Sequence, residues 1–235
     1  MANPRSASAA GDRLSATVVV WLLAQAATVT LACLLILAPS VSDAARELFG
    51  AFPPHKIAAP RAIILSSTLV LLLLRMALTS LVLLPRRIQP PEAVAVGVWL
   101  AIIHLGTALA AMANPAPVGV TAIVGVVIFV AGSLLNTVSE HQRKRFKERP
   151  ANRGRLYTKG LFRLAMHINY FGDIVWAIGL AMITGSIWAG AIPLLMTAMF
   201  VWVHIPRLDA HLAAGYGEEF ERYRRSTKKL IPWLF

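Results

Sequence analysis

Residues 62–84 read AIILSSTLVLLLLRMALTSLVLL, a stretch broken by a single charge, Arg75. Crossing the ~30 Å hydrocarbon layer of a bilayer takes about 20 predominantly apolar residues in a helix. This stretch meets that need, and others like it lie on both sides. They are Thr17–Leu37, Ala93–Met112, a run from near Val118 that fades around Asn136, the amphipathic Leu161–Ile183, and Ile187–Val203. The first is too long for the ~7–15-residue core of a signal peptide, and nothing after it reads as a cleavage site. The pattern predicts an all-α, polytopic integral membrane helix bundle of about six transmembrane helices. Residues 1–15 are small and polar and read as a disordered N-terminus, and 16–235 as one membrane domain.

Composition agrees. Of 235 residues, 57% are hydrophobic and 14% charged, against a usual ~45–50% and ~25%. Mean hydropathy is +0.64. This excludes a disordered chain, a disulfide scaffold and an ordinary cytosolic enzyme. The single cysteine, Cys33, lies in an apolar run, so neither a disulfide framework nor a multi-cysteine metal site can be built.

The net charge of +12 follows from topology. The 139–163 loop carries nine cations and the tail from Arg207 six, while the 113–117 and 184–186 turns carry none. Alternate loops are thus basic and bare. The positive-inside rule then predicts both termini and both basic segments in the cytoplasm, as in a bacterial inner-membrane protein. The 39–61 segment, with Arg46, Lys56 and Arg61, fits that topology least well. Nucleic acid is not an expected partner, because helices separate the basic segments.

Polar residues within spans are functional candidates. They concentrate in the C-terminal half. Asn136 and Glu140 stand i, i+4, and so do Asn169 and Asp173. Such pairs share a helix face. Near them come Arg163, His167, Tyr170 and the cationic loop with Arg143 and Tyr157. Helix-packing hydrogen bonds and lipid-headgroup contact account for any one of these. Together they point to a cytoplasm-facing polar cavity for a large anionic ligand. No GxGxxG or GxxxxGK[ST] occurs, so side chains would hold phosphates. Arg forks suit phosphate, and Asn and Asp suit amides and ribose hydroxyls. A nucleotide cofactor fits. The six histidines show no metal-ligand spacing, and no GxSxG is present.

The run Asn136-Thr137-Val138-Ser139-Glu140, then Gly160-Leu161-Phe162-Arg163 and His167-Ile168-Asn169-Tyr170-Phe171-Gly172-Asp173, resembles the steroid 5-alpha-reductase C-terminal domain superfamily. So do Tyr216-Gly217-Glu218-Glu219-Phe220-Glu221-Arg222-Tyr223 and the ending Leu230–Phe235. The likeness is strong over residues 118–235 and weaker over 70–117, and a bacterial group within the superfamily is the most similar. It implies an NADPH-dependent membrane reductase of a C=C bond in a lipophilic substrate drawn from the bilayer. Residues 16–117 would then form the substrate side and 118–235 the cofactor half. By that resemblance Asn136, Glu140, Asn169 and Asp173 contact the cofactor, with Tyr157, His211 and Tyr216 near the cavity mouth. Arg75 and Arg86 match the spacing of two family arginines, one near substrate and one near cofactor phosphate. Arg143 and Arg163 add cations for phosphate. Candidates for the catalytic acid are Tyr170, His167 and Arg75.

The substrate side departs from the family. Where 5-alpha-reductases carry Gln-Glu-Leu-Pro, this chain reads Ala51-Phe52-Pro53-Pro54, and Leu72 stands where a ketone-binding Tyr would fall. His55 or Arg75 are the available replacements. The superfamily is also similar to membrane methyltransferases of isoprenylcysteine or phospholipids, whose signature is Arg-His-Pro-x-Tyr-x-Gly and a later Glu pair. Met166 and Ile168 replace the Arg and Pro, and Leu208-Asp209 the Glu pair. An S-adenosylmethionine-dependent methyltransferase is therefore the second expectation.

Overall fold

The computed structural model describes residues 15–49, 57–84, 86–114 and 116–235. The N-terminal stretch read as disordered, His55 and the 51–54 segment lie outside the described residues, apart from Ser15 of the former.

Helix α1 (Ala16–Leu37) opens at Ser15, whose side-chain oxygen accepts from the Val18 amide at 3.4 Å. Leu37 is followed by Ala38 in extended conformation, and α2 (Pro39–Phe49) begins a new direction with Pro39 at its first position. Helix α3 (Ala59–Leu78) has Pro60 in its first turn, where a missing N–H costs nothing. It widens into a π turn at Thr79–Leu83. Helix α4 (Pro90–Met112) likewise starts on proline. Helix α5 (Val120–Glu148) is followed by short 3₁₀ turns at Pro150–Asn152 and Gly160–Arg163. Helix α6 spans Ile168–Thr184. After a 3₁₀ turn at Ile187–Gly190, α7 (Ala191–Met199) passes through a π turn (Phe200–His204) into α8 (Ile205–Tyr216). Pro206 explains that π turn, because its ring cannot complete the i→i−4 ladder behind it. Helix α9 (Glu218–Ser226) has Glu218, Glu219 and Glu221 in its first turn and Arg224 and Arg225 in its last, matching the helix dipole.

Every regular element among the described residues is helical. Among the described residues, five helical stretches are long and apolar enough to cross a membrane: Ala16–Leu37, Ala59–Leu83, Pro90–Met112, Val120–Glu148 and Ile187–Tyr216. Only 22–39% of the apolar window in each is buried against protein. Exposed Val20, Leu23, Leu74, Val94, Val127 and Trp202 are the side chains a lipid tail would cover. This is an integral membrane protein.

Two helices outrun their apolar stretches, and one expected start is corrected. The fourth run fades around Asn136, and its helix carries Glu140 as expected and continues to Glu148, because loss of apolarity is not loss of helix propensity. The fifth begins at Ile168, not Leu161. Leu161, Phe162 and Leu164 instead pack with Ala165, Ile168 and Leu135 in a loop cluster. That leaves 17 residues, about 25 Å at 1.5 Å per residue, short of the ~30 Å layer. The sixth run continues well past Val203, to Tyr216.

The chain divides into two compact units, Met1–Val126 with Leu180–Ala189, and Val127–Gly179 with Gly190–Phe235. In the first, α1 packs chiefly on α4 and on α3. Gln25 Nε2 donates to the Gly97 carbonyl (3.2 Å), and Thr28 Oγ1 meets His104 Nδ1 (3.0 Å). Both partners rise together along the chain, so α1 and α4 run parallel, as two spans separated by one return crossing must. At the other end of α3, buried Arg61 donates to the carbonyls of Thr184 (3.1 Å) and Pro117 (2.9 Å), and Asn114 Nδ2 also reaches Thr184 O (3.1 Å). The two cation-free turns thus share one end of this unit. Arg46 pairs with Asp43 at 2.6 Å. Of the three cations that sat badly with the topology, Arg46 is thus paired with a carboxylate and Arg61 has its guanidinium hydrogen-bonded to backbone carbonyls.

In the second unit the cationic loop and the tail are bonded together. Met166 N donates to Lys228 O (2.8 Å), His167 N to Lys229 O (2.9 Å), and Tyr223 Oη to Phe162 O (2.5 Å). Phe220 and Tyr223 pack with Leu156 and Met166. Loop and tail must share a side of the membrane, so α6 and the α7–α8 stretch go out and return. In a Cys33→Ala background, single cysteines at positions 145 and 228 should label from the same side, the cytoplasmic one by the charge rule, and one at 186 from the other. Labelling of 145 and 228 from opposite sides would overturn this arrangement.

Candidate functional site

In the second unit α5 and α6 cross at two glycines. A Cβ at Gly132 would run into the Trp176 backbone nitrogen and lie 2.7 Å from Gly172 O. One at Gly172 would lie 2.7 Å from the Asn136 backbone nitrogen. Only with both positions bare do the backbones come this close.

That approach places two i, i+4 pairs face to face. Asn136 Nδ2 donates to the Asn169 carbonyl (3.1 Å) and to Asp173 Oδ1 (3.0 Å). Asn169 Nδ2 donates to Glu140 Oε1 (2.9 Å). Glu140 Oε2 takes the Arg143 guanidinium, and Trp176 Nε1 also donates to Asp173 Oδ1 (2.7 Å). Asn136, Glu140 and Asn169 are buried. One turn before Asn136, buried Ser133 Oγ has no hydrogen-bond partner.

A second cluster begins at His167. Its buried ring places Nε2 2.8 Å from Asp209 Oδ1. It stacks on Tyr170 (centroids 5.7 Å, planes 13° apart), and Tyr170 stacks on Phe200 (4.5 Å, 11°). Nearby, Lys147 Nζ donates to Tyr216 Oη (2.7 Å) and lies 4.8 Å from that ring's centroid. Tyr157 packs between Phe146 and Phe162, and burial pushes its phenol pKa up. Gly160, at φ +58°, lets the loop close on α5, where the Leu161 amide donates to Gln142 Oε1 (3.0 Å).

The sequence-derived candidates thus divide. Asn136, Glu140, Arg143, Asn169 and Asp173 form one bonded network. His167 and Tyr170 stack together. Tyr157 and Tyr216 line the loop, and Arg163 and His211 are exposed. Arg75 and Arg86 belong to the first unit: Arg75 is buried in the last turn of α3, and Arg86 grips Glu92 with two 2.6 Å bonds. Sequence reasoning passed over Asp209, Trp176 and Lys147 as partners, and the glycine crossing. For Asp209 the available signal was its place among His204, Arg207 and His211, where the last span turns polar. Gly132 forty positions from Gly172 carried none.

This arrangement defines a helical membrane protein with a buried amide–carboxylate network beneath a cationic loop. The family described as "Protein of unknown function (DUF1295)" matches residues 94–227, more than half the chain, and the protein belongs to it. The chain is 36% identical over 116 residues to "Probable O-methyltransferase ustE" of Ustilaginoidea virens, covering 47% of this chain and 39% of that one. It is 30% identical over 111 residues to human 3-oxo-5-alpha-steroid 4-dehydrogenase 2, covering 47% and 42%. It is 34% identical over 85 residues to a Delta(14)-sterol reductase of Schizosaccharomyces pombe, covering 34% and 20%. The resemblance to the steroid 5-alpha-reductase superfamily therefore holds. The chain spans less than half the length of each of these relatives.

Two stability experiments follow. Gly172→Ala overpacks the crossing and should cost about 1–3 kcal/mol. Gly215→Ala on α8, with open space around its Cβ, should leave the melting temperature equal or slightly higher. Burial also pushes the Tyr223 phenol up, while it donates to Phe162 O. Its folded pKa lies above the unfolded ~10, so its contribution is complete below pH 10 and lost as pH rises. Melting measured from pH 8 to 10.5 should fall more steeply for the parent than for Tyr223→Phe.

Proposed function

We propose that this protein is a membrane-embedded reductase that uses NADPH to reduce a C=C bond in a lipophilic substrate taken from the bilayer. The observation that carries the reading is the buried Asn136–Asn169–Glu140–Asp173 network, joined through Arg143 to the cationic loop.

Its donor set fits the cofactor. Carboxylates and amides of this network suit ribose hydroxyls and a carboxamide. The partnerless Ser133 Oγ, on the same face as Asn136, is a further group for a ligand to meet. Arg143, Arg163 and the exposed cations of the 143–159 segment suit phosphates, including a 2′-phosphate. Tyr157, His211 and Tyr216 complete the mouth. NADPH, when bound, supplies the hydride. The chain's own residues bind, orient and manage the proton. Asp209 orients the His167 ring, and His167 and Phe200 flank Tyr170. Tyr170, whose phenol is a donor at neutral pH, is then the proton source.

A second reading, methyl transfer from S-adenosylmethionine, is favoured by the 36% identity to a probable O-methyltransferase. Ligand-dependent stability separates them. A ligand bound only by the folded state adds about 2.7 kcal/mol at 100 times its Kd. NADPH should raise the melting temperature of protein in mild detergent, and S-adenosylmethionine should not. The reverse result puts methyl transfer first. Asp173→Asn keeps shape but weakens a charge-assisted bond of roughly 1.5–3 kcal/mol. It should lower NADPH affinity about tenfold or more, with little change in the melting temperature without ligand. Unchanged affinity would remove Asp173 from the site.

A further inference from the structure

The first unit contains a groove of about 590 Å³, lined by α1 between Ala16 and Thr28 and by α4 between Pro90 and Ala101. That is the size of an ordinary ligand pocket. Val20, Ala24, Val98 and Gly97 make most of its wall apolar and low, and among the described residues no charged side chain lines it. Both helices are membrane spans, so an occupant arrives from lipid.

Two polar side chains interrupt this wall. Trp21 and Gln25 line the groove, and both are more than nine-tenths buried. Trp21 Nε1 and Gln25 Oε1 have no hydrogen-bond partner. In hydrocarbon no water can satisfy them, and a buried group left unmet is unfavourable. The residues stand i, i+4 and so share a face of α1. Gly97 opposite lets the two side chains pack against α4: a Cβ there would lie 3.3 Å from Trp21 Cδ1, 3.4 Å from its Nε1 and 3.5 Å from Gln25 Nε2. Both orphan atoms are covered in this conformation, so an occupant reaches them by turning the indole and the amide about their broad terminal torsions.

One is a donor and the other an acceptor. A hydrocarbon meets neither. A carboxylate meets only the donor and leaves the acceptor unmet, and among the described lining residues no cation balances its charge. A hydroxyl both accepts and donates, and is neutral. We propose that this groove binds a single-chain amphiphile with a hydroxyl head, which accepts from Trp21 Nε1–H and donates to Gln25 Oε1. Its tail lies along the aliphatic wall between α1 and α4. This binding is separate from the chemistry proposed above and is read without turnover.

The test uses the full chain in phosphatidylcholine nanodiscs with a diazirine-bearing C16 alcohol, its methyl ether and the matching hydrocarbon. The alcohol should label peptides within 16–28 and 90–101 saturably, and the other two should not compete for it. Trp21→Phe and Gln25→Leu should each weaken labelling about tenfold. Ala24→Phe, at an exposed position on the groove, should abolish it without lowering the melting temperature. Labelling spread over other helices, or equal competition by the hydrocarbon, overturns the proposal. So does a disulfide between copies carrying Ala24→Cys, which would give the groove to a second chain. Should a wall variant fail to fold, the labelled positions in the parent protein still decide.

Discussion

The amide of Asn136 bonds two acceptors across one helix crossing, a backbone carbonyl and a carboxylate. Much of the second unit's polar architecture depends on that geometry. The side chain is short, so it reaches Asn169 O and Asp173 only because Gly132 and Gly172 allow the backbones together. The same approach lets Asn169 reach Glu140, and Glu140 in turn holds Arg143 near the end of α5, ahead of the cationic loop. Isolated interhelical hydrogen bonds in membranes are weak. A connected set in which each member fixes its neighbour is stiffer than its separate parts.

Outside the spans, the polar face is held by backbone contacts. The tail segment 228–229 bonds the residues that lead into α6, while Tyr223 bonds the loop at Phe162. These contacts set the position of His167 before its ring meets Asp209. The aromatic series His167, Tyr170 and Phe200 therefore rests on three parts of the chain: the loop exit, the first turn of α6 and the π turn before Pro206. A π turn widens the helix where a side chain must be redirected, and here it carries Phe200 onto Tyr170.

Apolar length was legible in the sequence because the bilayer imposes it. Thr17–Leu37 became Ala16–Leu37, and Ala93–Met112 became Pro90–Met112. Leu161 and Phe162 misled because an apolar residue can cover a loop as well as face lipid. The i, i+4 pairing of Asn136 with Glu140, and of Asn169 with Asp173, was readable along each helix. Their bonding across helices was not, because crossing angle and register depend on bare positions that a single sequence does not mark. Asp209 was visible as a polar residue leaving the last span, but its partner lay 42 positions away. The amphipathic α2 is too short and too mixed to register against longer apolar runs.

Arg61 has a consequence for the order in which the chain is assembled. It stands at the start of α3, yet its carbonyl partners are Pro117 and Thr184, the latter 123 residues further along. At roughly 5–20 residues per second of synthesis, the second partner emerges roughly 6–25 s after Arg61 itself. Through that interval the guanidinium has to stay among headgroups and water, with its aliphatic stem along the helix. The end of the first unit that binds the two bare turns is thus the last to close, and an early helix waits on a late turn to complete its own hydrogen bonding.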